Sequence, residues 1–232
     1  MNGRRVWRAA EVAVAAVVWA SLVTGSAVMA LTVPVYTSAL TQALGVPRTA
    51  GLPAADVVRL SGAVRALVAD SEYDPLPATW GGAPAFDAGA VRHLLDVRAV
   101  IAFARLATGL LSLVLASYVA FCVGRKRFTE LAAGMRAGAV VAGAVVALAL
   151  LAAVTDFSSF FTAFHGLFFA SGTWTFPSDS LLIRLFPERF WVAAGASWAG
   201  LIVLGAAVMA VAARLVRRAA TRLDASRTAN NV

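Results

Sequence analysis

Lysine is nearly absent: Lys126 is the only one, and arginine carries the rest of the positive charge. That skew reflects base composition and has no mechanistic content. Cysteine is also single, so an internal disulfide is excluded. Cys122 sits at the end of an apolar run and reads as a small packing hydrophobe, not a nucleophile. Palmitoylation there is the weaker alternative. Charged residues make up only 14% of the chain, against about 25% in soluble domains. There are two histidines, His93 and His165. They lack HExxH spacing and there is no thiolate cluster, so no metal site is expected. No Walker loop or Gly-rich dinucleotide fingerprint occurs, and no cofactor is expected. No serine sits in a GxSxG elbow. The middle of the apolar runs holds no Asp or Glu, which counts against a proton-driven transporter.

What is present is apolar: 60% of residues are hydrophobic. One soluble core cannot hide that much surface, and the bilayer is its natural solvent. Four runs stand out, at 9–33, 100–123, 137–154 and 190–213. A helix of such a run crosses roughly 30 Å of hydrocarbon at about 1.5 Å per residue. The first run is read as a retained helix. A signal peptide ending at Val28-Met29-Ala30 competes with it, and both readings leave the next residues outside. The formal charge of +8 does not indicate nucleic acid. Its arginines cluster at the ends of the apolar runs, as juxtamembrane anchors do. Arg4, Arg5 and Arg8, then Arg125 to Arg136, then Arg214 to Arg227 fall on one side of a four-span chain. The positive-inside rule makes that side cytoplasmic, with both termini. The expected fold is an all-α integral membrane protein, a single membrane domain of four transmembrane helices. Residues 34–99 and 155–189 form a mostly helical extracytoplasmic cap, and 214–232 is a basic cytoplasmic tail, frayed at its end.

Prolines punctuate the first outer segment into short pieces. Between Pro53 and Asp70, Val57, Leu60, Val64, Leu67 and Val68 repeat at helical steps. That predicts an amphipathic helix lying on the membrane surface or capping the bundle. Residues 70–84 have no clear period. Asp87 is a good N-cap for a helix that runs without a breaker into the second span. It carries His93 and Asp96, three apart and so on one face. Asp96 can orient the imidazole, or it can pair with Arg92, which is the commoner outcome. Arg105, close to the helix end, is expected to snorkel outward. Residues 124–136 read as a short basic loop. Gly134/Gly138 and Ala139/Gly143/Ala147 let helix backbones approach closely.

The second outer segment opens with Asp156-Phe-Ser-Ser-Phe-Phe-Thr-Ala-Phe-His165-Gly-Leu-Phe-Phe. Half of the chain's Phe, Trp and Tyr residues lie between Phe157 and Trp191. Asp156 or Ser158 should cap a helix through Phe169, with Phe157, Phe161, His165 and Phe169 on one face. Gly172 is placed to end it. A second short helix is expected over 180–186, and Pro187 opens the last span. The bland reading is an interfacial aromatic belt with an incidental histidine. Two unrelated outer segments each place one imidazole next to a membrane boundary, however, and that convergence favours a site.

Two stretches carry a resemblance. Val91-Arg-His93-Leu-Leu-Asp96-Val-Arg98 resembles a His-Leu/Met-x-Asp-Val motif. Phe160-Phe-Thr-Ala-Phe-His165-Gly-Leu-Phe-Phe, then Trp174, Asp179-Ser-Leu-Leu-Ile183 and Phe186-Pro187-Glu-Arg-Phe190, resembles its companion. Together they are similar to the bacterial lipoprotein intramolecular transacylase family. The likeness extends over nearly the whole chain, including Tyr36 after the first helix. The Pro- and Ala-rich first loop departs from the pattern.

The resemblance implies a four-helix membrane bundle with an extracytoplasmic cap in the bacterial plasma membrane. It implies transfer of an acyl chain within a diacylated lipoprotein, from the sn-2 glyceryl ester to the amine of the N-terminal cysteine. His93 and His165 match the family's two histidines and would carry the reaction, supported by Asp96 and Asp179. Phe161, Phe164, Phe168, Trp174, Trp191 and Tyr36 would line the substrate. Partners are then membrane lipid and the lipid-modified N-terminus, with no nucleic acid, and the chain is expected to be a monomer. Ester aminolysis suits these residues, since an imidazole near neutrality can take the amine's proton. His165 is the preferred base, with His93 serving the oxyanion or the leaving oxygen, though nothing in the sequence assigns the roles. If the two act together, both rings should open into one aromatic cavity. The alternative is a non-catalytic membrane assembly or partner-binding protein.

Overall fold

The computed structural model describes residues 3–229, with side chains over 5–222. Among the described residues, α1 (Gly3–Leu31), α5 (Ala88–Gly124), α6 (Phe128–Thr155) and α9 (Glu188–Ala229) are long helices. Four are long and apolar enough to cross a membrane, over Arg5–Leu31, Ala88–Gly124, Phe128–Thr155 and Glu188–Arg222. The shorter elements are α2 (Pro34–Ala43), α3 (Val46–Ala50), α4 (Ala54–Ala69), α7 (Phe157–Gly166), α8 (Leu181–Leu185) and a two-strand hairpin, β1 (Thr79–Trp80) with β2 (Ala83–Pro84). The chain is an all-α integral membrane protein with four spanning helices. Its contacts divide it into two compact units.

One unit comprises Met1–Ala27, Leu106–Leu150 and Ala199–Val232. Small residues let its helices close on one another. A Cβ added at Gly138 would come within 2.6 Å of the Trp19 Cβ and 3.1 Å of the Ala16 carbonyl. One at Gly134 would sit 2.9 Å from Ala15, and one at Gly205 2.8 Å from Val23. Gly143 does not share this role, because nothing lies within 4 Å of its added Cβ. The basic loop is shorter than 124–136: α6 starts at Phe128, and the reversal falls on 125–127. Lys126 takes a left-handed φ of 55° there. Arg127 donates to Glu11 at 2.7 Å and lies 3.6 Å from Glu130, which ties the loop to α1. Helix α9 continues to Ala229 through the basic residues. Past Gly205 the described chain has no Gly or Pro, and Ala, Arg and Leu are strong helix formers. The last tail residues, 230–232, lie outside the described residues.

The other unit comprises Val28–Arg105 and Leu151–Trp198. Its core takes the predicted stripe: Val57, Leu60, Val64 and Leu67 are buried with Leu94, Leu181, Leu182, Leu185, Phe186 and Phe190. Helix α4 is therefore packed inside this unit against α2, α3 and α8, and its apolar face is not laid on a membrane surface. The helices α2 and α3 arise where the sequence suggested only punctuated pieces. Pro34 opens α2 and Gly45, at φ 62°, separates the two. In the aperiodic stretch, Gly81 and Gly82 adopt φ of 60° and 82° and turn the hairpin. Its Trp80 indole donates to Asp56 at 3.3 Å.

Arginines close the end of α4. Arg98 of α5 donates to the carbonyls of Leu67 at 2.6 Å, Asp70 at 2.8 Å and Ser71 at 3.3 Å. Arg105 donates to the Ala69 carbonyl. A helix end leaves its last carbonyls without intrahelical partners, and these cations satisfy them. Arg65 completes the set with a bidentate pair to Asp70 at 2.7 and 2.6 Å, and that pairing holds the Asp70 carboxyl below its ordinary range. The clamp fixes α4 to the turns of α5 that carry His93.

Candidate active site

Asp87 starts the site. Its carboxylate accepts from the Ala90 N–H at 2.7 Å, the N-cap geometry that begins α5. One turn on, His93 is only 8% exposed. Asp156 does the same for α7, accepting from the Ser159 N–H at 3.1 Å. Helix α7 ends at Gly166, earlier than the expected Phe169, and Gly172 lies in the left-handed region beyond it. The periodicity of α7 puts Phe161 and His165 one turn apart.

The two imidazoles come together within one unit. Their ring centroids are 6.3 Å apart and the planes are inclined by 29°. His165 is held from below by Phe161, at 4.0 Å between centroids, and flanked by Trp174 at 4.7 Å and Phe164 at 5.7 Å. His93 meets Phe169 edge-on at 4.9 Å and Phe176 at 5.6 Å. Phe168 sits one layer out, on Phe164 and Phe169, and Trp191 packs on Phe161 at 6.3 Å. Neither Phe169 nor Phe176 was assigned to the site from the sequence. Phe169 carried a signal, its place on the Phe161–His165 face. Phe176 carried none, because it lies in the irregular chain between α7 and α8.

One hydrogen bond defines a tautomer. His165 Nδ1 lies 2.8 Å from the Phe161 carbonyl oxygen. A carbonyl only accepts, so Nδ1 carries the proton and Nε2 keeps a lone pair. Burial holds the His165 pKa below its ordinary value, and the bond to Phe161 opposes that in part. The ring is therefore neutral at neutral pH. His93 Nδ1 is buried without a hydrogen-bond partner among the described residues. Asp96 thus does not hold that nitrogen, and no ion pair joins it to Arg92 among the described residues.

Asp179 borders a cavity of about 380 Å³ lined also by Trp80, Phe86, Asp87, Ser180 and Arg184. It precedes Ser180, which caps α8. The Tyr36 hydroxyl is buried without a partner among the described residues. Neither described cavity is lined by a histidine. The pair sits in an aromatic niche in which His165 is partly exposed and Phe164 and Phe168 are open to the surroundings. Such a niche offers a neutral acceptor nitrogen, a second imidazole and a wall of rings with few competing polar groups. No cluster of His, Cys, Asp and Glu that could hold a metal occurs among the described residues.

Comparison with known proteins agrees with this architecture. The solved structure of the integral membrane lipoprotein intramolecular transacylase from Bacillus cereus is similar over 94% of this chain and 98% of that one, with a TM-score of 0.80 at 16% identity. Two structures of histidine-substituted forms of that Bacillus cereus protein match at 16% identity with TM-scores of 0.75 and 0.74, over 95% of this chain and 96% and 97% of theirs. At that identity the likeness establishes the fold. The curated proteins give no match. The family described as "Lipoprotein intramolecular transacylase Lit" matches residues 12–191, a stretch that includes both histidines. On that match the chain belongs to the lipoprotein intramolecular transacylase family.

Proposed function

We propose that this chain transfers an acyl group within a diacylated lipoprotein, from the sn-2 glyceryl ester to the α-amine of the N-terminal cysteine, with His93 and His165 as the reacting side chains. The observation that carries the reading is the pair itself, the chain's only imidazoles at 6.3 Å in an aromatic niche. Aminolysis needs an unprotonated amine, and α-amines titrate at about 7.7–8.0. His165 Nε2 takes the proton that the nitrogen loses as it attacks the ester carbonyl. Its Nδ1–H stays on the Phe161 carbonyl and keeps the ring in that tautomer. His93 serves the other side of the reaction, at the carbonyl oxygen or the departing glyceryl oxygen. The surrounding phenylalanines give the reaction an apolar wall, which favours amide formation over hydrolysis. Membrane lipid and the lipid-modified N-terminus are the partners, and the chain works as a monomer.

The test is chemical. Expression in a host that makes diacylated lipoproteins should give N-terminal lipopeptides of unchanged mass with one ester-linked chain and one amide-linked chain. Mild base then releases one acyl chain in place of two, which mass spectrometry reads directly. An unchanged lipopeptide at good expression would sink the reading and favour a partner-binding role.

The active face is placed outside the bacterial plasma membrane. Support comes from the arginines at the ends of the spans and the acidic residues from Asp56 to Asp96 in the segment that holds His93. Reporter fusions after Arg125 should read cytoplasmic, and fusions near Pro77 and Ser171 should read external. An external reading for residue 125 would separate the histidines from the proposed substrate side.

A further inference from the structure

The niche contains a hydrogen-bond donor that the two-histidine scheme leaves unused. The Trp174 indole lies 4.7 Å from the His165 ring and 6.2 Å from Phe161, centroid to centroid. Its Nε1 is buried and has no hydrogen-bond partner among the described residues. Trp80 and Trp191 of the same unit spend their N–H groups, the first on the Asp56 carboxylate at 3.3 Å and the second on the Phe186 carbonyl at 3.1 Å. A buried donor left unsatisfied costs about 1–3 kcal/mol. Indole N–H can only donate, so what would satisfy it is an oxygen bearing a lone pair. On the reaction proposed above, an ester carbonyl oxygen that becomes an oxyanion is such a group.

We infer that the Trp174 N–H is the oxyanion donor of this site, a catalytic residue alongside the two histidines. The inference rests on the transacylase reading and divides the labour within it. Attack forms the C–N bond while the carbonyl π pair moves to oxygen, and Trp174 Nε1–H donates a hydrogen bond to that oxyanion. The amine's proton goes to His165 Nε2. Collapse re-forms the carbonyl and breaks the bond to the glyceryl oxygen. The His165 imidazolium passes its proton to the His93 ring, and His93 delivers a proton to the departing oxygen, which leaves both imidazoles neutral. The products are an amide and a free glyceryl hydroxyl, with no net gain or loss of protons. A neutral indole suits the oxyanion role because it cannot surrender its proton to the amine or to either histidine at any working pH. His93 is thereby free to act on the leaving group, and its unpartnered Nδ1 needs no other explanation than a ring waiting for substrate.

The experiment compares the parent chain, Trp174→Phe, and a chain in which the Trp174 indole is replaced by benzothiophene through an unnatural amino acid. The last substitution keeps the bicyclic ring and removes only the N–H. Conversion of a synthetic diacylated lipopeptide is followed by mass spectrometry in detergent. Removing one oxyanion donor lowers turnover by about 10²–10³-fold. The expected result is a loss of that size in kcat for the benzothiophene form, with KM within a few-fold and an unchanged pH profile, because the lost group does not titrate. Trp174→Phe should lose at least as much. A benzothiophene form that matches an active parent overturns the inference and leaves the transacylase reading standing. A loss confined to KM overturns it too, since it would make Trp174 a wall and not a donor. A parent chain that converts nothing overturns the reading beneath and the inference with it.

Discussion

Replacing either histidine should cut the ester-to-amide conversion by roughly 10²–10⁴-fold, the range that a positioned acid or base contributes. The loss should be in turnover and should occur without loss of the folded protein. His165→Ala gives up one hydrogen bond, to a carbonyl already within its own helix, worth about 0.5–1.5 kcal/mol, and the ring contacts to Phe161 and Trp174. His93→Ala breaks no Nδ1 hydrogen bond among the described residues, since that nitrogen has none. It does open space between Phe169 and Phe176. His93→Asn and His165→Gln retain more volume and separate packing from chemistry. If both pairs of variants express normally and lose conversion, the imidazoles are the chemistry. Full activity in His165→Gln would remove the base from the mechanism. Cys122→Ser is the control: its side chain is fully buried in the unit that lacks the histidines, and conversion should be unchanged.

Acidification should suppress the reaction steeply, and the direction follows from burial. The base must be neutral, and burial holds the His165 pKa below 6.5. Between that value and about 8, only the amine is still protonated in part, so the rate should rise up to tenfold per pH unit and then level. Below the His165 pKa both groups hold protons, and the slope should steepen. Stability moves the same way. The unfolded chain binds the His165 proton more readily than the folded one, so stability falls as pH drops from about 6.5 to the lower folded-state value and then stops responding to this group. Rates from pH 5 to 9 on the lipopeptide, with melting curves at the same values, check both. A rate that climbs on acidification would contradict the neutral-base assignment.

The parts of this site that could be read in advance are those written in local repeats. Asp87 and Asp156 announce their helix starts because a cap is a contact over three residues. Phe161 below His165 follows from one turn of helix. The stripe of Val57, Leu60, Val64 and Leu67 marks a buried face. The period leaves open whether that face meets a membrane or other helices, and packing against α2, α3 and α8 decides it. The arginine clamp was missed for a related reason. Arg105 looks like a snorkelling residue until the Ala69 carbonyl arrives beside it, and nothing local marks Arg98 for the carbonyls of Leu67 and Asp70.

Sequence alone therefore determined the solvent of this protein, its four spanning helices and the residue types able to do acid–base work, since hydropathy and 3.6-residue periodicity are properties of neighbouring positions. Tertiary structure decided the rest. It brought His93 and His165 to 6.3 Å, placed Phe176 against one and Trp174 against the other, and set Asp179 on a cavity that Asp87 also borders. Those placements depend on how long segments close on one another and which side chains fill the space between them. No periodicity records that, because loop closure and packing join residues that share no local geometry.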